Sequence, residues 1–370
     1  MHLDPGRWFR QRSRQRSRQR SLLRNSGRNR SSCYNPGSLH NQRRKDKAQA
    51  DCVFLAPPVL RTVWQPPRGF SNAGMVAPRL QVKDFRQSEK NGEIMAQNPE
   101  YDEAAFKQFE HDGWAEVSGT YHDTFALCTQ QAIEPMLDAA GAAEGTRLLD
   151  VACGTGNLTA FAAKRGAEPM GLDYVESMIS EARVLNPGLE FRQGDAESLP
   201  FEDGAFESVT CNFGILHFPN PEQAIAEAFR VLAPGGRYAF SSWSPPDQSP
   251  FMALLLGAVE EHGDMNVPIP PGPPIFRFSN PAECEKVLAA TGFSNVSCQN
   301  LPIVARFDSP EGVMETLNRG MVRIKAIIKM QTPENQARIE AAITEGAKEF
   351  ETGGTIEIPQ PALLAVGYKP

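Results

Sequence analysis

From Arg147 onward the chain alternates between two hydrophobic rhythms. Short unbroken apolar runs, each closing on small or polar residues, predict strands at 147–153, 168–173, 189–194, 206–212 and 236–243. Between them apolar residues return every three to four positions, which predicts helices at 157–165, 175–185 and 221–232. Pro234-Gly235-Gly236 reads as a stop and turn after the last of these. Strands alternating with helices predict an α/β fold, a doubly wound parallel sheet with helices on both faces. Runs such as "YAFSSW" fit strands buried on both sides. Upstream, 101–139 reads as helices carrying Phe106, Phe109 and Trp114, then Tyr121, Phe125 and Leu127. Downstream, Pro268 to Pro281 is a proline-rich loop that leads into a helix near 281–291 and a strand near 294–299. Residues 310–350 read as mostly helical, and "PALLAVGYK", Pro361 to Lys369, as a last strand.

Composition changes this picture at one end. The net charge of −6 hides two opposite parts: residues 1–95 hold 20 Lys and Arg against 6 Asp and Glu, the remainder 18 against 38. The basic part opens with "RQRSRQRSRQRS" and has no lasting periodicity, so 1–94 is expected to be a disordered Arg/Ser-rich extension. A transit peptide, a nucleic-acid or nuclear-localisation arm, and a dispensable extension all fit that composition. Normal composition resumes at Met95, so 95–370 is expected to be the folded domain. No apolar run reaches the length of about 18 residues that a membrane span needs. The seven cysteines form no CxxC pair and are odd in number. That points to a reducing compartment without structural zinc or a disulfide framework. The expected location is the cytoplasm, or the mitochondrion if the basic segment is a transit peptide.

The chemistry concentrates where "RLLDVACGTGNLTAFAAKRG" breaks from strand to helix. Gly154 and Gly156 let the backbone turn tightly and approach a ligand with no Cβ in the way. The following helix offers unpaired amides at its start. A dinucleotide site calls for a third small residue where Thr159 stands, and Asp150 is a poor neighbour for two phosphates. An ammonium group suits Asp150 better. Asp173 closes the second strand and suits the two hydroxyls of a ribose. Asp195 closes the third and suits an adenine amino group. Singly, each acid reads equally as a solvated strand end or helix cap. Together, in register with the strands, they suit adenosine carrying an amino acid.

These residues resemble the class I S-adenosylmethionine-dependent methyltransferases, in the type-11 group that includes the ubiquinone and menaquinone biosynthesis enzymes. "LLDVACGTGNLT", "GLDYVESM" and "GDAESLPF" match the first three motifs in order, and "FESVTCNFGILHFPNPEQAIAEAFRVLAPGGRYAFSSW" matches the fourth strand through the fifth. The resemblance covers about 145–245. Ala152 stands in place of a frequent first glycine, and Glu207 where the fourth strand often opens with Asp.

The resemblance implies a seven-stranded, mostly parallel Rossmann-like sheet whose final strand runs antiparallel. It also implies cap segments near 95–130, 244–280 and 300–350, and S-adenosyl-L-methionine as cofactor. It places Asp150, Ala152, Gly154 and Gly156 along the methionine end and Asp173 on the ribose. Tyr174 and Met178 fall against the adenine, with Asp195 and Ala196 closing its pocket. Asn212 and Phe213 fall near the sulfonium, with Tyr121 covering the cofactor. No metal is implied.

Transfer from an already activated sulfonium needs alignment, and a base only where the acceptor must lose a proton. His217 is the candidate base, although a histidine hydrogen-bonded at a strand end fits the same position. His111 and His122 are weaker candidates on the entry helices. The acceptor is expected to be a small, largely apolar molecule, aromatic or quinone-like, under a cap containing Phe251, Met252, Phe276, Phe278, Met314, Met321 and Met330; each of these also fits ordinary core.

A nucleic-acid methyltransferase is an alternative. The (Asp/Asn/Ser)-Pro-Pro-aromatic tetrad of amino-methylating base flippers is missing at 212–215, and an acidic domain repels phosphate. Protein methylation, arsenite methylation through thiolates such as Cys153 and Cys211, and non-catalytic cofactor binding are the others.

Overall fold

A computed structural model describes residues 101–370. The basic extension expected at 1–94 lies outside the described residues. The elements are α1 (Glu103–Tyr121), α2 (Ala126–Thr129), α3 (Ile133–Ala139), β1 (Arg147–Val151), α4 (Asn157–Lys164), β2 (Glu168–Asp173), α5 (Glu176–Leu185), β3 (Glu190–Gln193), β4 (Phe206–Cys211), α6 (Pro221–Val231), β5 (Leu232–Trp243), α7 (Pro250–His262), α8 (Pro281–Thr291), β6 (Ser294–Leu301), β7 (Val304–Phe307), α9 (Pro310–Gly320), α10 (Arg323–Lys329), α11 (Pro333–Ala347), β8 (Glu351–Thr352), β9 (Thr355–Pro359) and β10 (Ala362–Tyr368).

Seven strands form one sheet in the order β3-β2-β1-β4-β5-β10-β6. β1 to β5 pair in parallel, and β10 runs antiparallel between β5 and β6. The order reverses between β1 and β4, and ligands of such sheets bind beyond the strand ends at that reversal. Alternation along β1 supplies two cores at once: Leu148 is buried in one hydrophobic cluster and Leu149 in the other.

One local signal recurs at helix starts. Asn220-Pro221, Ser249-Pro250, Asn280-Pro281, Ser309-Pro310 and Thr332-Pro333 each place an N-cap acceptor before a proline at the first helical position. The cap satisfies an amide that the helix leaves open, worth about 1 kcal/mol. The proline gives up only an N–H that had no partner. At α1 the cap is Asp102, whose Oδ1 accepts from the amides of Ala104 and Ala105, both at 3.0 Å.

The structure differs from the sequence reading in three places. Pro234-Gly235-Gly236 does not precede β5 but bulges within it, since the register with β4 jumps from Phe206↔Leu232 to Ser208↔Arg237. A Cβ on Gly236 would meet the carbonyl oxygens of Ala233 and Glu207 at 2.8 and 2.9 Å, so the bulge requires glycine. The stretch 250–262 is a helix. Finally, 310–350 is helical as expected, in α9, α10 and α11, but the flanking strands β7, β9 and β8 form a second, antiparallel sheet that the sequence reading did not include.

Candidate functional site

Two loops at the strand-order reversal build the site. After β1 the backbone takes positive φ at Ala152 (54°), Gly154 (53°) and Gly156 (82°). A Cβ on Gly156 would lie 2.7 Å from the Phe191 ring, whereas one on Gly154 would meet only Tyr121, at 3.8 Å. Gly156 is therefore packed against protein, and Gly154 faces open space. Asp173, at the end of β2, locks this loop. Its Oδ2 accepts from the Gly154 amide and its Oδ1 from the Val175 amide, both at 2.9 Å. Each oxygen keeps a further acceptor position. Burial raises the Asp173 carboxyl above its ordinary value, against the lowering effect of those amides.

After β4, Phe213 takes φ 58° and stacks on Trp243, with ring centroids 3.7 Å apart. The Ser241 hydroxyl joins the two residues of this loop, donating to Asn212 Oδ1 at 2.9 Å and accepting from the Phe213 amide at 3.0 Å. Asn212 Nδ2 donates to the carbonyl of Thr129 at 3.2 Å.

Helix α1 supplies one wall. Lys107 bridges Asp195 and Glu197. Burial lowers its ammonium, but the bonds to those two acids outweigh it and the net shift is upward. Glu110 Oε2 lies 2.9 Å from His217 Nδ1 and accepts from Trp114 Nε1 at 3.2 Å. Trp114 also meets His217 and Tyr121 edge-on, at 5.0 and 5.5 Å. The Tyr121 hydroxyl lies 3.3 Å from that of Thr129, and burial pushes its phenol up to about 12.

The result is a cleft open to solvent. Tyr121, Ala152, Gly154, Asp173, Tyr174, Met178, Asp195, Ala196, Asn212, Phe213 and His217 all line it. The sequence reading missed Lys107, Glu110, Trp114, Phe125, Thr129, Phe218 and Trp243, which line it too. His111 also reaches it, whereas His122 does not; its Nδ1 lies 3.5 Å from the Thr155 hydroxyl.

Asp150 and Gly156 stand apart from the cavity. Asp150 is 1% exposed, and its carboxylate accepts from Thr159 Oγ1 at 2.7 Å and Thr210 Oγ1 at 3.4 Å. It ties β1 to α4 and β4 and does not line the cavity. Thr159 thereby finds its purpose: it packs the helix on the strand, fully buried, and satisfies the acid beneath.

The expected apolar cap is also corrected. Phe251, Met252, Phe278, Met314 and Met321 are buried in the core, Phe276 packs against it, and Met330 is exposed; none lines the cavity. Its aromatic lining comes from α1 and the ends of β4 and β5 instead. Cys211 and Cys153 are poor thiolate candidates, because burial pushes the first up to about 12 and the second well above its usual value.

Asp150 carries a pH prediction. Burial, opposed by the bonds from Thr159, pushes its carboxyl up to about 7. In the unfolded chain the same group ionises near 4. The folded form thus holds the extra proton between these values, and stability falls as pH rises through about 7. Thermal unfolding of Asp150→Asn should show a smaller decline than the unmodified protein between pH 5 and 8. Parallel curves would contradict the assignment.

The fold is that of a doubly wound α/β protein, with an acid-lined cavity at its strand-order reversal. Residues 149–240 match the family model described as a methyltransferase domain. A demethylmenaquinone methyltransferase of Beutenbergia cavernae is 41% identical over 118 residues, 32% of this chain and 49% of that relative. One of Thermus thermophilus is 36% identical over 165 residues, 40% of this chain and 74% of that relative. The chain thus spans about half the length of the first of these relatives. Among solved structures, the YcgJ protein of Bacillus subtilis is similar at 22% identity and a TM-score of 0.44, over 64% of this chain and 97% of that one. The chain belongs to the class I S-adenosylmethionine-dependent methyltransferases of the type-11 group.

Proposed function

We propose that this protein transfers the methyl group of S-adenosylmethionine to a small, largely apolar acceptor, aromatic or quinone-like, at oxygen or carbon. The observation that carries the reading is the cavity at the strand-order reversal, whose lining joins a carboxylate set to an aromatic set. The residues present fit the cofactor. Asp173 retains one acceptor position on each oxygen, the donor-seeking pair that a vicinal diol satisfies. Space lies open before Gly154, where any side chain would stand in the ligand's way. Leu172, Val175 and Met178 give an apolar face for the adenine, with Tyr174, Asp195 and Ala196 at its rim. Ala152, Tyr121, Asn212 and Phe213 line the remainder toward the methyl-donating end.

When bound, the cofactor supplies an electrophilic methyl group. The protein then has to align an acceptor and exclude water. Phe125, Phe213 and Trp243 offer flat apolar surface for a planar acceptor. The similarity to enzymes named for demethylmenaquinone supports a quinone-like one. The excess of 38 acids over 18 bases past residue 95 disfavours polyanions. Calorimetric titration should show binding of S-adenosylmethionine and its demethylated product, and none of NAD. Comparable affinity for NAD would sink the reading.

A further inference from the structure

Glu110 is a buried acid with one oxygen left unsatisfied. It lies on α1 at 4% exposure, and its Oε1 has no hydrogen-bond partner among the described residues. Burying a carboxylate costs several kcal/mol unless its oxygens are satisfied. Here one oxygen alone receives partners, His217 Nδ1 at 2.9 Å and Trp114 Nε1 at 3.2 Å. Arg323 on α10 faces the same region and acts on Glu110 only through space; its own Nε and Nη1 are buried without partners. The local arrangement thus leaves several polar atoms unsatisfied while holding one imidazole in place.

What it holds is specific. An ionised carboxylate only accepts, so the ring nitrogen facing it must carry a proton. In a neutral imidazole the other nitrogen is then an acceptor. That nitrogen, Nε2 of His217, has no partner among the described residues, and His217 lines the cavity. The edge of Trp114 against the ring, 84° between planes, fixes its orientation.

We infer that Glu110 is a positioning residue that holds His217 in the Nδ1–H tautomer, so that Nε2 takes a proton from the acceptor as it is methylated. The inference rests on the proposed methyl transfer and narrows it to an acceptor bearing a removable proton. The acceptor's O–H bond breaks, and its proton goes to Nε2. The oxygen's electron pair forms the new O–CH₃ bond. The S–CH₃ bond breaks, its electron pair stays on sulfur, and the sulfonium becomes a thioether. Glu110 balances the imidazolium, which later releases the proton to water. An acidic C–H in place of the O–H gives the same balance.

Two measurements test this. Nitrogen-15 NMR of the His217 ring in the full chain without cofactor should show a protonated Nδ1 and an unprotonated Nε2. Glu110→Gln should shift the ring toward the Nε2–H form. Kinetically, Glu110→Gln should lower turnover of 2-naphthol, protonated at neutral pH, by about 10-fold or more, with cofactor affinity kept. It should leave turnover of 2,4-dinitro-1-naphthol, already ionised, close to that of the unmodified protein. An Nε2–H ring in the unmodified protein overturns the inference, as does an equal loss on both naphthols or no loss on either. Failure of the underlying methyl-transfer reading shows itself differently, as absent cofactor binding with the tautomer result intact.

Discussion

Replacing His217 by alanine is expected to lower turnover by about 10²–10⁴, the range a positioned proton acceptor supplies. The cavity keeps its cofactor-facing groups in that variant, because His217 bonds to Glu110 and not to Asp173 or the β1 loop. Affinity for the demethylated cofactor should therefore hold while kcat falls. That split separates a group acting on the acceptor from one that binds the cofactor. The ring also fills space against Trp114, so His217→Gln serves as a second variant of closer volume. An unchanged rate in both variants would leave alignment as the whole mechanism. Equal losses in rate and cofactor affinity would mark His217 as structural.

The second large effect falls on Asp173. Asp173→Ala removes the two acceptor positions proposed for a ribose, and with them the anchors of the Gly154 and Val175 amides. Hydrogen bonds to a charged group contribute about 1.5–3 kcal/mol each, so affinity for the demethylated cofactor should fall at least 10-fold. Because Gly154 sits at φ 53° in a loop that this carboxylate holds, some stability should go as well. Calorimetry and thermal unfolding on the same sample distinguish the two losses. Unchanged affinity would place the ribose elsewhere.

The parallel sheet was legible in the sequence because its strands are buried on both faces and so read as unbroken apolar runs. Three features were not, for separate reasons. Helix α7, "PFMALLLGAVEEH", is apolar nearly all round, so it carries no helical stripe; Ser249-Pro250 was its available signal. The β8–β9 hairpin turns on Gly353-Gly354, at φ 62° and 90°, a two-residue signal in the short stretch between the helical 310–350 and the last strand that the sequence reading left unassigned. The face of α1 that lines the cavity has Lys107, Glu110, His111 and Trp114 at helical spacing. Sequence alone does not say whether such a face meets solvent or a site.

Asp150 teaches a different point. Strand alternation puts it on the same side of β1 as Leu148, beneath α4, and β1 continues past it to Val151. An acid one residue short of a strand's end points into a packed layer, and Thr159 was the sequence sign of its partner. Asp173, by contrast, is the last residue of β2 and lines the cavity.

The central claim is transfer of a methyl group to a small apolar molecule, and following the label tests it most directly. The protein is incubated with methyl-labelled S-adenosylmethionine and a cell extract, which is then separated into small molecules, nucleic acid and protein. The account predicts label in the organic-soluble small-molecule fraction, and its loss there with His217→Ala. Label confined to RNA, DNA or protein would contradict it.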